Sequence, residues 1–207
     1  MEVIIGDPDR LRAVAEDFIK HYETRVAEGA TVAGKAMFVC SNRNIAYDFY
    51  KIVKELRPEW TEKKICDDGV VLSEKDKKEL KPMEKIKLVM TRNKDDEKEL
   101  FDMLGTKEDR KEFDRQFKNP KSNFKIAIVV DMWLTGFDVP ELDTIYIDKP
   151  IQQHTLIQTI SRVNRVCEGK DKGLIVDYIG IKKNMNTALK KYTNFESEEF
   201  EGVEQSI

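Results

Sequence analysis

The stretch Lys125-Ile-Ala-Ile-Val-Val-Asp131 is almost continuously apolar and ends at a carboxylate. Short Ile/Val runs of this kind are typical of strands that are buried on both faces of a parallel sheet. Similar runs lie at residues 35–40, 85–91, 144–148 and 173–178, and segments with helical periodicity lie between most of them. The alternation predicts an α/β fold with a doubly wound, mostly parallel sheet and helices on both faces.

Two helices are marked by their first residues. Asp7-Pro8 combines an N-cap with a proline at the first turn, and apolar residues then recur at helical spacing up to Gly29. Asn42 caps a second periodic segment, which stops before Pro58. We therefore predict a leading helix at residues 1–30 and one α/β domain at 31–181. We assign residues 182–207 to a terminal helix and a frayed acidic tail, all within a longer parent chain.

The composition excludes several functional classes. The chain has 207 residues, and its 36 basic and 39 acidic residues give a net charge of -3, so any nucleic-acid binding must come from a local surface. The three cysteines are far apart, which argues against a zinc site and a disulfide framework, and we expect no metal site. The sequence shows neither a membrane-length apolar run nor signal-peptide features, so we expect a cytoplasmic protein without a membrane partner.

One candidate site is the loop Asp131-Met-Trp-Leu-Thr-Gly-Phe-Asp-Val-Pro140, which follows the most apolar strand. Ligands of open α/β sheets bind beyond the carboxyl ends of the strands. Gly136 permits a positive φ or a close backbone approach, and Thr135 and Asp138 supply a hydroxyl and a carboxylate. An ordinary turn in which Asp138 caps a short helix explains the same residues equally well. We expect Trp133 to pack against the sheet or a neighbouring domain.

The next candidate is the segment Leu156-Ile-Gln-Thr-Ile-Ser-Arg-Val-Asn-Arg165. As a helix it would place Gln158, Arg162 and Arg165 within an arc of roughly 60°. The planar guanidinium suits phosphate oxygens, although two solvated arginines are the simpler alternative. The sequence contains no Gly-x-x-x-x-Gly-Lys-Ser/Thr loop. The arginines therefore look like half of a phosphate site, supplied to a nucleotide that another domain holds.

The charge-rich region 73–121 has alternating signs, which predicts solvated helices rather than a binding tail. Within it, Asp95-Asp-Glu-Lys98 is best interpreted as the acidic first turn of a helix.

Two of these segments resemble motifs of a known family. Thr135-Gly-Phe-Asp-Val-Pro140 resembles motif V, and Gln158-Thr-Ile-Ser-Arg-Val-Asn-Arg165 resembles motif VI, of superfamily 2 helicases and translocases. Residues 35–56 resemble the motif IV region. The longer stretches 128–140, 156–166 and 173–180 resemble the motor part of the R (HsdR) subunit of type I restriction-modification enzymes.

The resemblance implies a second RecA-like domain, which completes an ATP site formed with a preceding domain. ATP with Mg²⁺ would then be held mainly outside this chain. Arg165 would be the arginine finger on the γ-phosphate, and Arg162 would be its neighbour at that phosphate. The resemblance places three further residues near the nucleotide, namely Gln158, Gly136 and Asp138. It places four residues against the DNA backbone, namely Ser41, Asn42, Arg43 and Thr135.

The implied partners are double-stranded DNA, preceding RecA-like and nuclease domains of the same parent chain, and methyltransferase and specificity subunits. The parent would be an ATP-dependent DNA translocase, and the isolated chain should be catalytically inactive because it offers one side of the phosphates only. Three alternatives stay open: another superfamily 2 DNA or RNA helicase domain, a non-catalytic docking module derived from one, or an unrelated α/β binding domain.

Overall fold

The computed structural model describes residues 5–134, 136–151, 153–170, 172–180 and 203–205. Its strands are β1 (Lys35–Cys40), β2 (Ile86–Val89), β3 (Ile126–Val129), β4 (Leu142–Asp148), β5 (Leu174–Asp177) and β6 (Val203–Gln205). In this part of the chain the six strands form one sheet in the order β2-β3-β1-β4-β5-β6, and each neighbouring pair is parallel. The predicted α/β class with a mostly parallel sheet is confirmed.

Helices connect the strands and cover both faces of the sheet. They are α1 (Pro8–Ala27), α2 (Arg43–Leu56), α3 (Glu74–Glu79), α4 (Lys98–Leu104), α5 (Lys107–Lys118) and α6 (Gln153–Val163), with a 3-10 turn at Pro58–Thr61. None of the helices in the described ranges is long and apolar enough to cross a membrane.

Alternating side chains of β1 to β5 enter two separate cores, as the two-residue period of a strand requires. On one face, Phe18 of α1 packs edge-on against Phe38 of β1 and Tyr146 of β4, with ring centroids 5.2 and 4.7 Å apart. On the other face, Phe117 of α5 and Leu156 of α6 join the second core. Burying each such side chain contributes about 1.5–3 kcal/mol, so the sheet is held from both sides.

The leading helix begins where the sequence predicted. The Asp7 carboxylate accepts a hydrogen bond from the backbone N–H of Arg10 at 3.0 Å, and Pro8 occupies the first turn. The Arg10 side chain then crosses to the carboxyl end of β4, where its guanidinium binds Asp148. The start of α1 is therefore fixed both by its cap and by the sheet.

The acidic segment before α4 differs from the prediction. The helix begins at Lys98, so residues 95–97 lie in the preceding loop and not in its first turn. The reason is a long-range contact, because Asp96 binds the Arg43 guanidinium through both oxygens, at 2.6 and 2.7 Å. Its carboxylate also accepts the backbone N–H of Asn93 at 2.6 Å. The carboxylate of Asp96 thus stabilises an ion pair and a turn, and not the N-terminus of a helix as we had expected.

The acidic tail also differs in part. Val203–Gln205 pairs with β5 as the last strand of the sheet, because a free strand edge offers unpaired N–H and C=O groups to any extended segment that reaches it. The terminal helix predicted after residue 181 lies outside the described residues. The boundaries 31–181 of the α/β domain stay a prediction.

Candidate functional site

The candidate residues gather at the carboxyl edge of the sheet. Strand β1 lies between β3 and β4, so the loops that follow these three strands are neighbours. The loop after β1 contains Ser41 and Asn42, and the loop after β3 contains Gly136 and Asp138. Helix α6 follows β4 and packs in the same core as the apolar side chains of the loop after β3. Thr135 lies outside the described residues.

The loop after β3 is held in an unusual backbone conformation. Gly136 has a φ of 71°, as its residue type allows, and open space surrounds the position of a Cβ atom. Trp133 also has a positive φ, 70°, which is costly for a bulky residue. Its ring stacks on Phe137 at 4.0 Å and lies 5.3 Å from Phe117. Aromatic packing against the loop itself and against α5, at the edge of the second core, therefore stabilises the strained turn.

Arg162 joins this loop to α6. Its Nε donates to the Leu134 carbonyl at 2.8 Å, and its Nη1 donates to the Phe137 carbonyl. Partial burial lowers the pKa of Arg162, and the nearby charge of Arg165 lowers it further. A guanidinium has five N–H donors, so these bonds still leave donors for a ligand. Gln158, one turn earlier in α6, is partly buried.

Arg165 does not continue the helical face on which we expected it. Helix α6 ends at Val163, so Arg165 lies two residues beyond the helix. A Cβ atom at Gly173 would lie 2.1 Å from the Val163 carbonyl oxygen, which shows how closely the approach to β5 passes the end of the helix. The Asn164 side chain accepts the Gly173 N–H there at 3.4 Å. The chain must therefore turn away from the helix axis before Arg165.

The new position still brings Arg165 to the loop after β3. Its Nη1 lies 2.5 Å from Oδ1 of Asp138, and the two side chains are 48% and 54% exposed. Arg162 and Arg165 thus both contact the same loop, one through backbone carbonyls and one through a carboxylate. The structure brings together four of the predicted nucleotide residues, namely Arg162, Arg165, Gly136 and Asp138.

The residues predicted to face DNA in the loop after β1 already have partners within the fold. Ser41 Oγ donates to the Asp148 carbonyl at 2.8 Å, and the Asn42 side chain accepts the Ile45 N–H at 3.0 Å as the N-cap of α2. Arg43 donates to the carbonyl of Thr91 and to Asp96. These contacts fix the loop, and its three side chains stay partly exposed.

A basic pocket beside this loop was missed in the sequence. It measures about 380 Å³ and is lined by Thr91, Lys107, Arg110, Lys111, Asp114 and Met132. Thr91 and Met132 follow β2 and β3, so the pocket lies at the same edge of the sheet. Residues at positions i, i+3 and i+4 share one face of a helix, and this spacing in α5 could have revealed the three cations. The alternating signs of the segment concealed them.

The donor set does not suit a divalent cation. Within the described ranges, no group of three histidine, cysteine, aspartate or glutamate side chains could hold a metal ion. Mg²⁺ binds through carboxylates and other oxygens, whereas three carboxylates at this edge already pair with basic side chains: Asp131 with Lys149, Asp138 with Arg165 and Asp148 with Arg10. We therefore assign none of the described residues to Mg²⁺.

The chain matches the family described as type I restriction enzyme subunit R domain 3 over residues 32–180. It is 39% identical over 196 residues to the type I restriction enzyme HindI endonuclease subunit of Haemophilus influenzae, covering 93% of this chain and 17% of that protein. It is 49% identical over 72 residues to the SsaAORF53P endonuclease subunit of Staphylococcus saprophyticus, covering 34% of this chain and 8% of the relative. The chain thus spans under a fifth of these relatives.

Solved structures show the same fold. A fragment described as an HsdR subunit of a type I restriction enzyme from Vibrio vulnificus matches with a TM-score of 0.56 at 16% identity, covering 96% of this chain and 32% of that one. Domain 2 of the Mss116p DEAD-box helicase, solved bound to an RNA duplex, matches with a TM-score of 0.52 at 15% identity, covering 97% and 60%. Taken with the family match, these findings show that the chain belongs to the type I restriction enzyme subunit R domain 3 family and has a RecA-like α/β fold.

Proposed function

We propose that this chain is the second motor domain of an ATP-dependent DNA translocase, within the R subunit of a type I restriction enzyme. In this proposal a preceding RecA-like domain binds ATP, and Arg165 reaches the γ-phosphate from the other side of the cleft. The observation that carries the proposal is the half-exposed guanidinium of Arg165 at the carboxyl edge, beside the loop that holds Gly136 and Asp138.

The chemistry suits a half-site. Phosphoryl transfer needs positioning and stabilisation of the charge on the phosphate oxygens, and an arginine supplied from a second domain provides both. The sequence contains no phosphate-binding loop of the Gly-x-x-x-x-Gly-Lys-Ser/Thr type. Arg165 would supply charge, Arg162 would lie beside it at the phosphate and hold the loop after β3, and Gln158 would orient the helix near the nucleotide.

Double-stranded DNA would lie along the same edge of the sheet. The loop with Ser41, Asn42 and Arg43 would face the DNA backbone together with Thr135, as the resemblance implies. The basic pocket adds Lys107, Arg110 and Lys111, a local cluster of positive charge on a chain whose net charge is negative. Contacts of this type go to phosphates, so binding should depend weakly on sequence and strongly on salt.

The remaining proposed partners are supported by the names of the relatives, which are endonuclease subunits of type I restriction enzymes. We propose nuclease and first motor domains in the same parent chain, and association with methyltransferase and specificity subunits. The three cysteines are free thiols, which suits the reducing cytoplasm.

The proposal is tested by measuring ATP hydrolysis with and without double-stranded DNA, for the isolated chain and for the full-length protein that contains it. We expect DNA-stimulated turnover from the full-length protein and none from the isolated chain. Turnover by the isolated chain at a comparable rate would overturn the half-site proposal, because one domain would then suffice.

A further inference from the structure

We propose that Asp138 is a positioning residue that holds the Arg165 finger in the absence of ATP and releases it to the γ-phosphate. The carboxylate would act as a displaceable substitute for the phosphate oxygens. This inference rests on the proposed function and adds a regulatory step to the same site.

The geometry supports an exchange rather than a permanent link. The pair joins two separate segments, the loop after β3 and the residues beyond α6, across a 2.5 Å contact. Each side chain is about half exposed, so a ligand can approach from solvent. Arg162 fixes the loop to α6 through the carbonyls of Leu134 and Phe137. Asp138 is therefore kept within reach of Arg165 without being buried with it.

A buried ion pair in the same fold shows the contrast. Asp148 is fully buried where it binds Arg10, and its side chain is 0% exposed. Separating such a pair leaves an uncompensated charge in the protein interior. The Asp138–Arg165 pair carries no such cost, because water can solvate both groups when they separate. Of these two pairs at the carboxyl edge, only the exposed one can exchange partners readily.

The energetics place the exchange near balance. A solvent-exposed ion pair changes an equilibrium constant by about 1.4- to 5-fold. The terminal phosphate of ATP carries more charge and more acceptor oxygens than one carboxylate, so it forms stronger charge-assisted bonds to a guanidinium. ATP should therefore displace Asp138, and the carboxylate should lower the apparent affinity for ATP by about the same 1.4- to 5-fold.

The inference is tested in the full-length protein with Asp138→Asn, which keeps the size of the side chain and removes its charge. We expect the dissociation constant of a non-hydrolysable ATP analogue to fall by about 1.4- to 5-fold, with no change for ADP, which lacks the γ-phosphate. Asp138→Glu should restore the wild-type value. Glu55→Gln removes the carboxylate of a comparable exposed pair with Arg12 and serves as the matched control.

A double-mutant cycle decides whether Asp138 acts through Arg165. In an Arg165→Ala background, Asp138→Asn should no longer change the affinity for the analogue. A gain that persists there, an unchanged affinity in the single variant, or a loss of affinity would each overturn the inference. The loss would mean that Asp138 contacts the nucleotide directly. If Arg165→Ala itself leaves ATP turnover unchanged, the proposed function fails instead, so the two failures are distinguishable.

Discussion

The Arg10 guanidinium binds the carboxylate of Asp148, which is fully buried at the carboxyl end of β4. Arg10 also donates to the carbonyl of Ile5 at 3.0 Å, and the carbonyl of Asp148 accepts Ser41 Oγ. One buried carboxylate thus connects the start of the leading helix to the strand edge that carries the candidate site.

Arg10→Ala should destabilise the fold strongly, because it leaves the Asp148 charge buried without a partner. We expect the free energy of unfolding to fall by about 3–5 kcal/mol, measured by urea denaturation of this chain. Arg12→Ala is the matched control, since Arg12 pairs with Glu55 on the surface and its loss should destabilise the fold far less. Equal losses for the two variants would contradict the assignment of Arg10 to a buried ion pair.

Asp76 should make the free energy of unfolding depend on pH in the acidic range. Hydrogen bonds from Lys121 and then from Ser73 lower its pKa from 3.8 to about 2. The folded state therefore binds this proton less readily than the unfolded state, so the stabilisation is present above pH 3.8 and is lost as the pH falls towards 2. The difference in unfolding free energy between wild type and Asp76→Asn should shrink across that range. A constant difference would show that the Asp76 charge does not contribute.

Arg162 should control the order of the loop after β3. Arg162→Ala removes two hydrogen bonds from a charged donor, which should cost about 1–3 kcal/mol and leave two carbonyls without partners. Amide hydrogen exchange of residues 136–139 should accelerate, while the amides of β3 stay protected. Arg165→Ala is the control, because it breaks only an exposed pair and should leave this exchange nearly unchanged. Unaltered exchange in Arg162→Ala would contradict the proposed role.

The basic pocket predicts a change in the salt dependence of DNA binding. Replacing Lys107, Arg110 and Lys111 by glutamine in the full-length protein should reduce the slope of log affinity against log salt by about 0.9 for each DNA phosphate that these side chains neutralise. The matched control replaces Lys75, Lys77 and Lys78, three lysines of α3, by glutamine. Binding of a labelled duplex at several salt concentrations provides the measurement. Identical slopes for the two triple variants would exclude the pocket from the DNA surface.

Much of the fold could be predicted because its signals are local. The Ile/Val run that forms β3 and the Asp7-Pro8 start of α1 each specify an element through neighbouring residues alone. The end of α6 could not be predicted in this way. Its periodicity continues through Arg165, but the approach to β5 at Gly173 passes so close to Val163 that the helix must stop.

The contacts between residues of the candidate site were harder to predict than the residues themselves. Motif resemblance located Arg162, Arg165 and Asp138, yet nothing local indicated that Arg162 would bind backbone carbonyls or that Arg165 would pair with Asp138. The Arg43–Asp96 pair joins residues that are 53 positions apart. Such contacts depend on which strands become neighbours, and the order of the strands is a property of the whole sheet.

If Arg165 completes an ATP site formed with a preceding domain, removal of its side chain should nearly abolish ATP hydrolysis by the full-length protein. DNA-stimulated ATP hydrolysis is measured for the full-length protein, for Arg165→Ala and for Arg115→Ala, an exposed arginine that pairs with Glu112 on α5. We predict that Arg165→Ala lowers turnover by about 10³-fold or more, as expected for the removal of an arginine finger, and that Arg115→Ala turns over like wild type. Wild-type turnover by Arg165→Ala would contradict the role of Arg165 as the arginine finger.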